Sequence, residues 1–126
     1  MNKQALPKHP RYLLIDFENV QKIDLSHIPG DVQIRVFMGQ HQKSVSVDLV
    51  MQYQKLGSRL EWKPIEGNGK NAVDFVIAYY LGQVFDKDAK AHCAVLSHDK
   101  GFDPLMKMLE KEGKDCRRIE SISEIK

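Results

Sequence analysis

Little in this sequence marks a specialised chain. It holds only two cysteines, Cys93 and Cys116, and both lie in apolar segments, so they read as reduced core thiols and not as a disulfide framework. No apolar run approaches the ~20 residues that a membrane-spanning helix needs. The opening segment MNKQALPKHPR lacks the apolar stretch of a secretory leader, and a cytoplasmic protein is the expectation. Charge of one sign is scarce: 19 Lys and Arg against 17 Asp and Glu leave a formal +2, too mild to announce a nucleic-acid binder by itself. No repeat or low-complexity tract appears. There is no G-x-S-x-G elbow, no His and Cys at zinc spacing, and no base beside either cysteine, which argues against serine, zinc and thiol chemistry. What remains is ordinary globular material: 126 residues, 42 % hydrophobic and 29 % charged, enough for one domain with its own core.

The hydrophobic pattern alternates between two periods. Tyr12-Leu13-Leu14-Ile15 is a continuous apolar run, the mark of a strand buried on both faces. Val32, Ile34, Val36 and Met38 alternate with other residues and predict a second strand, closed by Gly39. Residues 46–56 carry helical spacing and end at Gly57; Leu60, Trp62 and Pro64 suggest a third strand. After the loop Gly67-Asn68-Gly69-Lys70, a long helix begins at Asn71 with Val73, Val76, Ile77, Tyr80, Leu81 and Val84 on one stripe. A strand over 92–96, a helix over 104–112 and a short strand over 116–119 complete the chain. Strands that alternate with helices predict an α/β fold, a mostly parallel sheet of about five strands covered on both faces. Such sheets bind ligands beyond the carboxyl ends of their strands.

Acids gather at those ends. Asp16 and Glu18 follow the first strand, Asp74 lies in the first turn of the long helix, and Asp99 and Asp103 follow the fourth strand. Carboxylates brought together hold hard cations such as Mg²⁺ or Mn²⁺, and a cation so held assists phosphodiester hydrolysis. Each acid also has a local explanation. Asn71 and Asp74 have the spacing of a capping box, Asp103 before Pro104 reads as a helix cap, and Asp99 with Gly101 reads as a turn. Asp16 is the hardest to explain locally, because an acid that ends a buried strand is costly unless something satisfies it. Asn19 either orients the site or caps a turn. Lys70, Lys100 and His98, joined by His41 and Lys43, suggest a basic rim suited to a phosphodiester backbone. The basic residues Lys107, Lys111, Lys114, Arg117 and Arg118 read as an exposed face, and Phe17 and Phe102 as packing beneath the loops. Gly67-x-Gly69-x-x-Ala72 matches a dinucleotide fingerprint, but it follows the third strand and reads better as a strand-to-helix turn.

Three segments together, Leu13-Leu14-Ile15-Asp16-Phe17-Glu18-Asn19-Val20, Gly69-Lys70-Asn71-Ala72-Val73-Asp74 and Ser97-His98-Asp99-Lys100-Gly101-Phe102-Asp103-Pro104-Leu105, resemble the PIN-like superfamily. The nearest branch is that of bacterial domains related to NYN nucleases. The resemblance implies a three-layer α/β/α Rossmannoid domain over 11–126, after a short arm over 1–10. It implies a metal-dependent nuclease acting on RNA, single-stranded by expectation, with one or two Mg²⁺ or Mn²⁺ ions, no membrane contact, and pairing into homodimers as small domains of this kind often do. Asp16, Asp74 and Asp99 match the metal-binding catalytic acids, with Glu18 and Asp103 as further ligands. Asn19, Lys70, Lys100 and His98 fall on the substrate side. One position departs: the related pattern often has an acid two residues after the Asp99 position, where this chain has Gly101. That departure keeps open a second class of function, a non-catalytic module that binds RNA or a protein.

Overall fold

The computed structural model describes residues 9–20, 23–39, 44–67 and 71–125. Five strands form a single sheet: β1 (Arg11–Asp16), β2 (Val32–Met38), β3 (Leu60–Pro64), β4 (His92–Leu96) and β5 (Asp115–Ile119). Their order is β3-β2-β1-β4-β5 and every neighbouring pair is parallel. Three helices connect them: α1 (Val47–Leu56), α2 (Ala72–Lys87) and α3 (Asp103–Lys111). The three-layer α/β/α expectation therefore holds. None of the described helices is long and apolar enough to cross a membrane.

The apolar run of β1 falls on the central strand, which explains why it carries no alternation. Leu13 and Ile15 face one core, packed against α1 and the segment between β1 and β2. Leu14 faces the other, packed against α2. Ser46 starts α1 by accepting the Leu49 N–H at 3.2 Å, and Gly57 ends it at φ +57, a backbone that favours glycine. Along α2, Val73, Ile77, Leu81 and Val84 are buried as the stripe predicts.

β2 differs from its expected half-buried pattern. It lies between β1 and β3, beneath cores on both faces, so Arg35 and Phe37 are buried along with Val32, Ile34 and Val36. Arg35 is accommodated because its buried guanidinium is hydrogen-bonded and paired. Its Nε donates to the Tyr80 hydroxyl at 3.0 Å and pairs with Glu61 at 2.9 Å, and its Nη1 donates to the carbonyls of Ile34 and Arg59. Cys93 and Cys116 are free, buried neighbours on β4 and β5, and burial pushes the Cys116 thiol up to about 12. Residues 9–10, the end of the expected arm, are held: the Pro10 carbonyl accepts the His92 N–H at 2.9 Å, and His9 meets Asp88 at 3.1 Å.

The connections leave one part of the sheet thinly covered. The β1–β2 segment and α1 cross one face over β1, β2 and β3. The chain then reverses direction, and α2 and α3 cross the opposite face. On the first face, the β4–β5 side is met by Ile122 and Ile125, from the segment after β5. The reversal lies between β1 and β4, where open α/β sheets place their ligand crevice.

Candidate active site

The site begins at the C-terminal end of β1. Strand alternation turns Asp16 to the α2 face, the same face as Leu14. Its side chain is fully buried. Oδ2 accepts hydrogen bonds from Asn19 Nδ2 at 2.7 Å and from Ser97 Oγ at 2.8 Å. Oδ1 is buried and has no hydrogen-bond partner among the described residues. The N–H groups of Asn19 and Val20 both donate to the Asp16 carbonyl, which folds the chain back and keeps Asn19 beside the carboxylate. The Glu18 carboxylate lies over Gly39 at the end of β2, and a Cβ there would overlap it. A glycine closing β2 thus makes room for an acid that follows β1.

Asp74 comes from the first turn of α2 and Asp99 from the loop after β4. The capping-box reading of Asn71 is not what forms: Asn71 takes a left-handed backbone, φ 67, and makes no side-chain cap bond. Asp74 instead hydrogen-bonds Asp99. A hydrogen bond between two carboxyls needs a proton on one of them. The Asp74 carboxyl is accordingly pushed up to about 7, first by burial, then by the bond to Asp99, then by the charges of Asp99, Asp16 and Glu18. Asp99 fulfils its turn reading as well. Its Oδ1 accepts the Gly101 N–H at 2.8 Å and caps the 3₁₀ turn Lys100–Phe102. Its own N–H donates to Ser97 Oγ at 3.0 Å. Ser97, fully buried, therefore ties the Asp16 side chain to the Asp99 backbone.

Four carboxyls from three separate segments thus share one electrostatic neighbourhood at the C-terminal edge of the sheet. All of their donors are hard oxygens, the kind that suits Mg²⁺ and Mn²⁺. Among the described residues, no three His, Cys, Asp or Glu side chains stand close enough to grip one ion as a cage. Mg²⁺ is seldom held by such cages. It keeps several waters and takes one or two carboxylates, and the orphaned Oδ1 of Asp16 beside Asp74 and Asp99 fits that mode.

The model of one protein family, the PIN domain, matches residues 10–119. The chain belongs to the PIN domain family. The family is generally one of nucleases, and its members generally use divalent metal ions. Neither the curated proteins nor the solved structures yield a match.

In this PIN domain the remaining expected residues lie around the acids. Asp103 does not cap α3 as Asp-Pro suggested, for it is the first helical residue. Its carboxylate accepts the Arg118 Nε–H at 2.8 Å, and that bond holds it below the usual carboxylate range. Lys100 is exposed on the turn after Asp99, and His98 is half-exposed and pairs with Glu120 at 3.4 Å. Lys70, His41 and Lys43 lie outside the described residues. Phe17 and Phe102 are buried, as expected. Arg118, read as part of an exposed basic face, is nearly buried and does more: besides Asp103 it reaches Glu120 at 3.5 Å and donates to the Ser97 carbonyl at 3.0 Å. No spacing pattern marks Ser97, Gly39 or Arg118 as part of the site. The one clue is that Ser97 directly follows the apolar run of β4, as Asp16 ends that of β1.

Proposed function

We propose that this PIN domain is a metal-dependent endoribonuclease that hydrolyses phosphodiester bonds, with single-stranded RNA as its substrate. The convergence of Asp16, Asp74, Asp99 and Glu18 at the sheet edge carries this reading. Mg²⁺ or Mn²⁺ would be held by Asp16, Asp74 and Asp99, with Glu18 contributing, and when bound supplies Lewis acidity toward the phosphodiester. Asn19 and Ser97 hold the Asp16 carboxylate in one orientation, as outer partners do for ligating groups. Asp74 keeps its proton up to about pH 7, so a cation at this site competes with that proton and drives its release. Lys100 and His98 stand at the rim, on the side from which an RNA strand would arrive. Asp103, engaged by Arg118, stays out of the proposed ligand set. The motifs around Asp16 and Asp99 support a place beside the NYN-related bacterial branch.

The test is cleavage of an end-labelled single-stranded RNA pool with Mn²⁺ or Mg²⁺, comparing the wild type with Asp16→Asn and Asp99→Asn. Metal-dependent cutting by the wild type, lost in both variants, is the expected result. A wild type that binds the RNA and leaves it intact would replace the nuclease with a binding module. Cutting that survives both substitutions would move the chemistry elsewhere.

A further inference from the structure

Across the sheet edge from the acids lies a groove of about 600 Å³. It exists because the reversal of chain direction leaves the β4–β5 side of one face to the short segment after β5. Its floor is apolar: Val20 from the turn after β1, Leu96 from the end of β4, and Ile122. Its rim is polar: Asp24 and His27 from the segment before β2, His98 and Glu120 from the residues that follow β4 and β5. Both walls run straight into the acid-bearing segments, since Val20 follows Asn19 and His98 precedes Asp99. A volume of this size is ordinary for a small-ligand site.

The rim chemistry selects the occupant. Among the described residues the lining carries two carboxylates, two imidazoles and no lysine or arginine to hold a phosphate, so the phosphate of a bound nucleotide stays outside and the base goes in. A flat ring suits the apolar floor. Glu120 accepts only, and it has two oxygens. It is half-exposed, and its pairs with His98 and Arg118, at 3.4 and 3.5 Å, are long enough to leave lone pairs for a ligand. Guanine presents adjacent N1–H and N2–H donors, which match a carboxylate, with O6 beside them to accept from His98. Adenine turns a ring-nitrogen acceptor toward the same carboxylate. Uracil flanks its single N–H with two carbonyls, and cytosine offers one amino group beside an acceptor. We infer that the groove seats a guanine base of an RNA strand, read on its Watson–Crick edge by Glu120 and His98, while a neighbouring phosphate reaches the acids over the sheet edge. The link to cleavage rests on the nuclease reading; the base site itself does not.

The experiment is calorimetric titration of the whole chain with guanosine, adenosine, cytidine and uridine, without metal. Guanosine should bind saturably and the other three more weakly by about tenfold or more, the discrimination expected of one two-point base contact. Glu120→Gln should remove most of that preference, and Ile122→Trp, which fills the groove, should abolish binding with the fold retained by circular dichroism. In the cleavage assay, cuts should cluster beside guanines. Four nucleosides bound equally, no binding of guanosine, or guanosine binding untouched by both substitutions would each overturn the inference. Guanosine bound by a chain that cuts no RNA would overturn the nuclease and leave the groove. Cutting without guanosine binding would do the reverse.

Discussion

Among the described residues, the sheet buries two charged side chains and treats them in opposite ways. Arg35, in the middle of β2, meets a hydroxyl, two carbonyls and the Glu61 carboxylate, and its guanidinium also lies 5.7 Å from the centre of the Tyr12 ring. Both Nε and Nη1 donate to acceptors, and the group carries an opposite charge beside it. Asp16, one strand over, has two donors on one oxygen, none among the described residues on the other, and like charges nearby. Burial alone does not mark a working residue. A charge that its surroundings neutralise holds the fold together, whereas a charge whose surroundings add to its cost is kept for something that arrives later.

This contrast can be broken at either end. The largest effect belongs to Asp16→Asn, expected to lower metal-dependent RNA cleavage by ~10²-fold or more while leaving the melting temperature unchanged or higher. A variant that unfolds would place Asp16 with Arg35 among the structural charges. Arg35→Ala should do the opposite. It removes the donor to two carbonyls, one of them in a buried bond, and opens a gap, costing about 2–3 kcal/mol, a drop of roughly 10 °C in thermal melting, with the metal concentration for half-maximal cleavage unaltered below that temperature.

Ser97→Ala removes one of the two donors on Asp16 Oδ2 and the acceptor for the Asp99 N–H. Outer partners of this kind typically matter ~10-fold in metal affinity, measurable as the shift of the Mn²⁺ titration midpoint in cleavage or in thermal melting. The smallest effect is that of Asp74→Asn on stability. Between the ordinary value of 3.8 and about 7, the folded chain keeps a proton on Asp74 that the unfolded chain has released. Stability contributed there falls as pH rises through that window. The variant should therefore melt slightly above the wild type at pH 8 and level with it at pH 3.5. The same proton sets the wild type's response to metal: Mn²⁺ should raise the melting temperature at pH 8 and progressively less as pH falls below 7. A pH-independent Mn²⁺ shift would separate Asp74 from the cation.

Much of this was readable in the chain. The unbroken apolar run before Asp16 requires a strand covered on both sides, and β1 is the central strand. The stripe on α2 and the alternation of strands and helices lead to the all-parallel sheet. The acids at three strand or helix ends follow from that topology. Features that depend on neighbours across the sheet were not legible. Arg35 falls at a polar position of an alternating strand, yet Tyr80, Glu61 and the Arg59 carbonyl make its burial tolerable. Asp103 has the local signature of a cap, but Arg118, fifteen residues later, claims its carboxylate. Asn71 has the right spacing to cap α2 and adopts a backbone that prevents it. Ser97 looks like any loop serine until β1 is placed beside β4.

Gly101 bears on how this site could change over generations. Its N–H holds Asp99 Oδ1 at 2.8 Å, and a Cβ added there would lie 2.9 Å from that same oxygen. An acidic side chain at 101 would not simply enlarge the cluster; the end of the Asp99 side chain would have to shift to admit it. Gain of a fifth carboxylate and a re-aimed Asp99 therefore come as one step. A library at position 101 reads both changes at once.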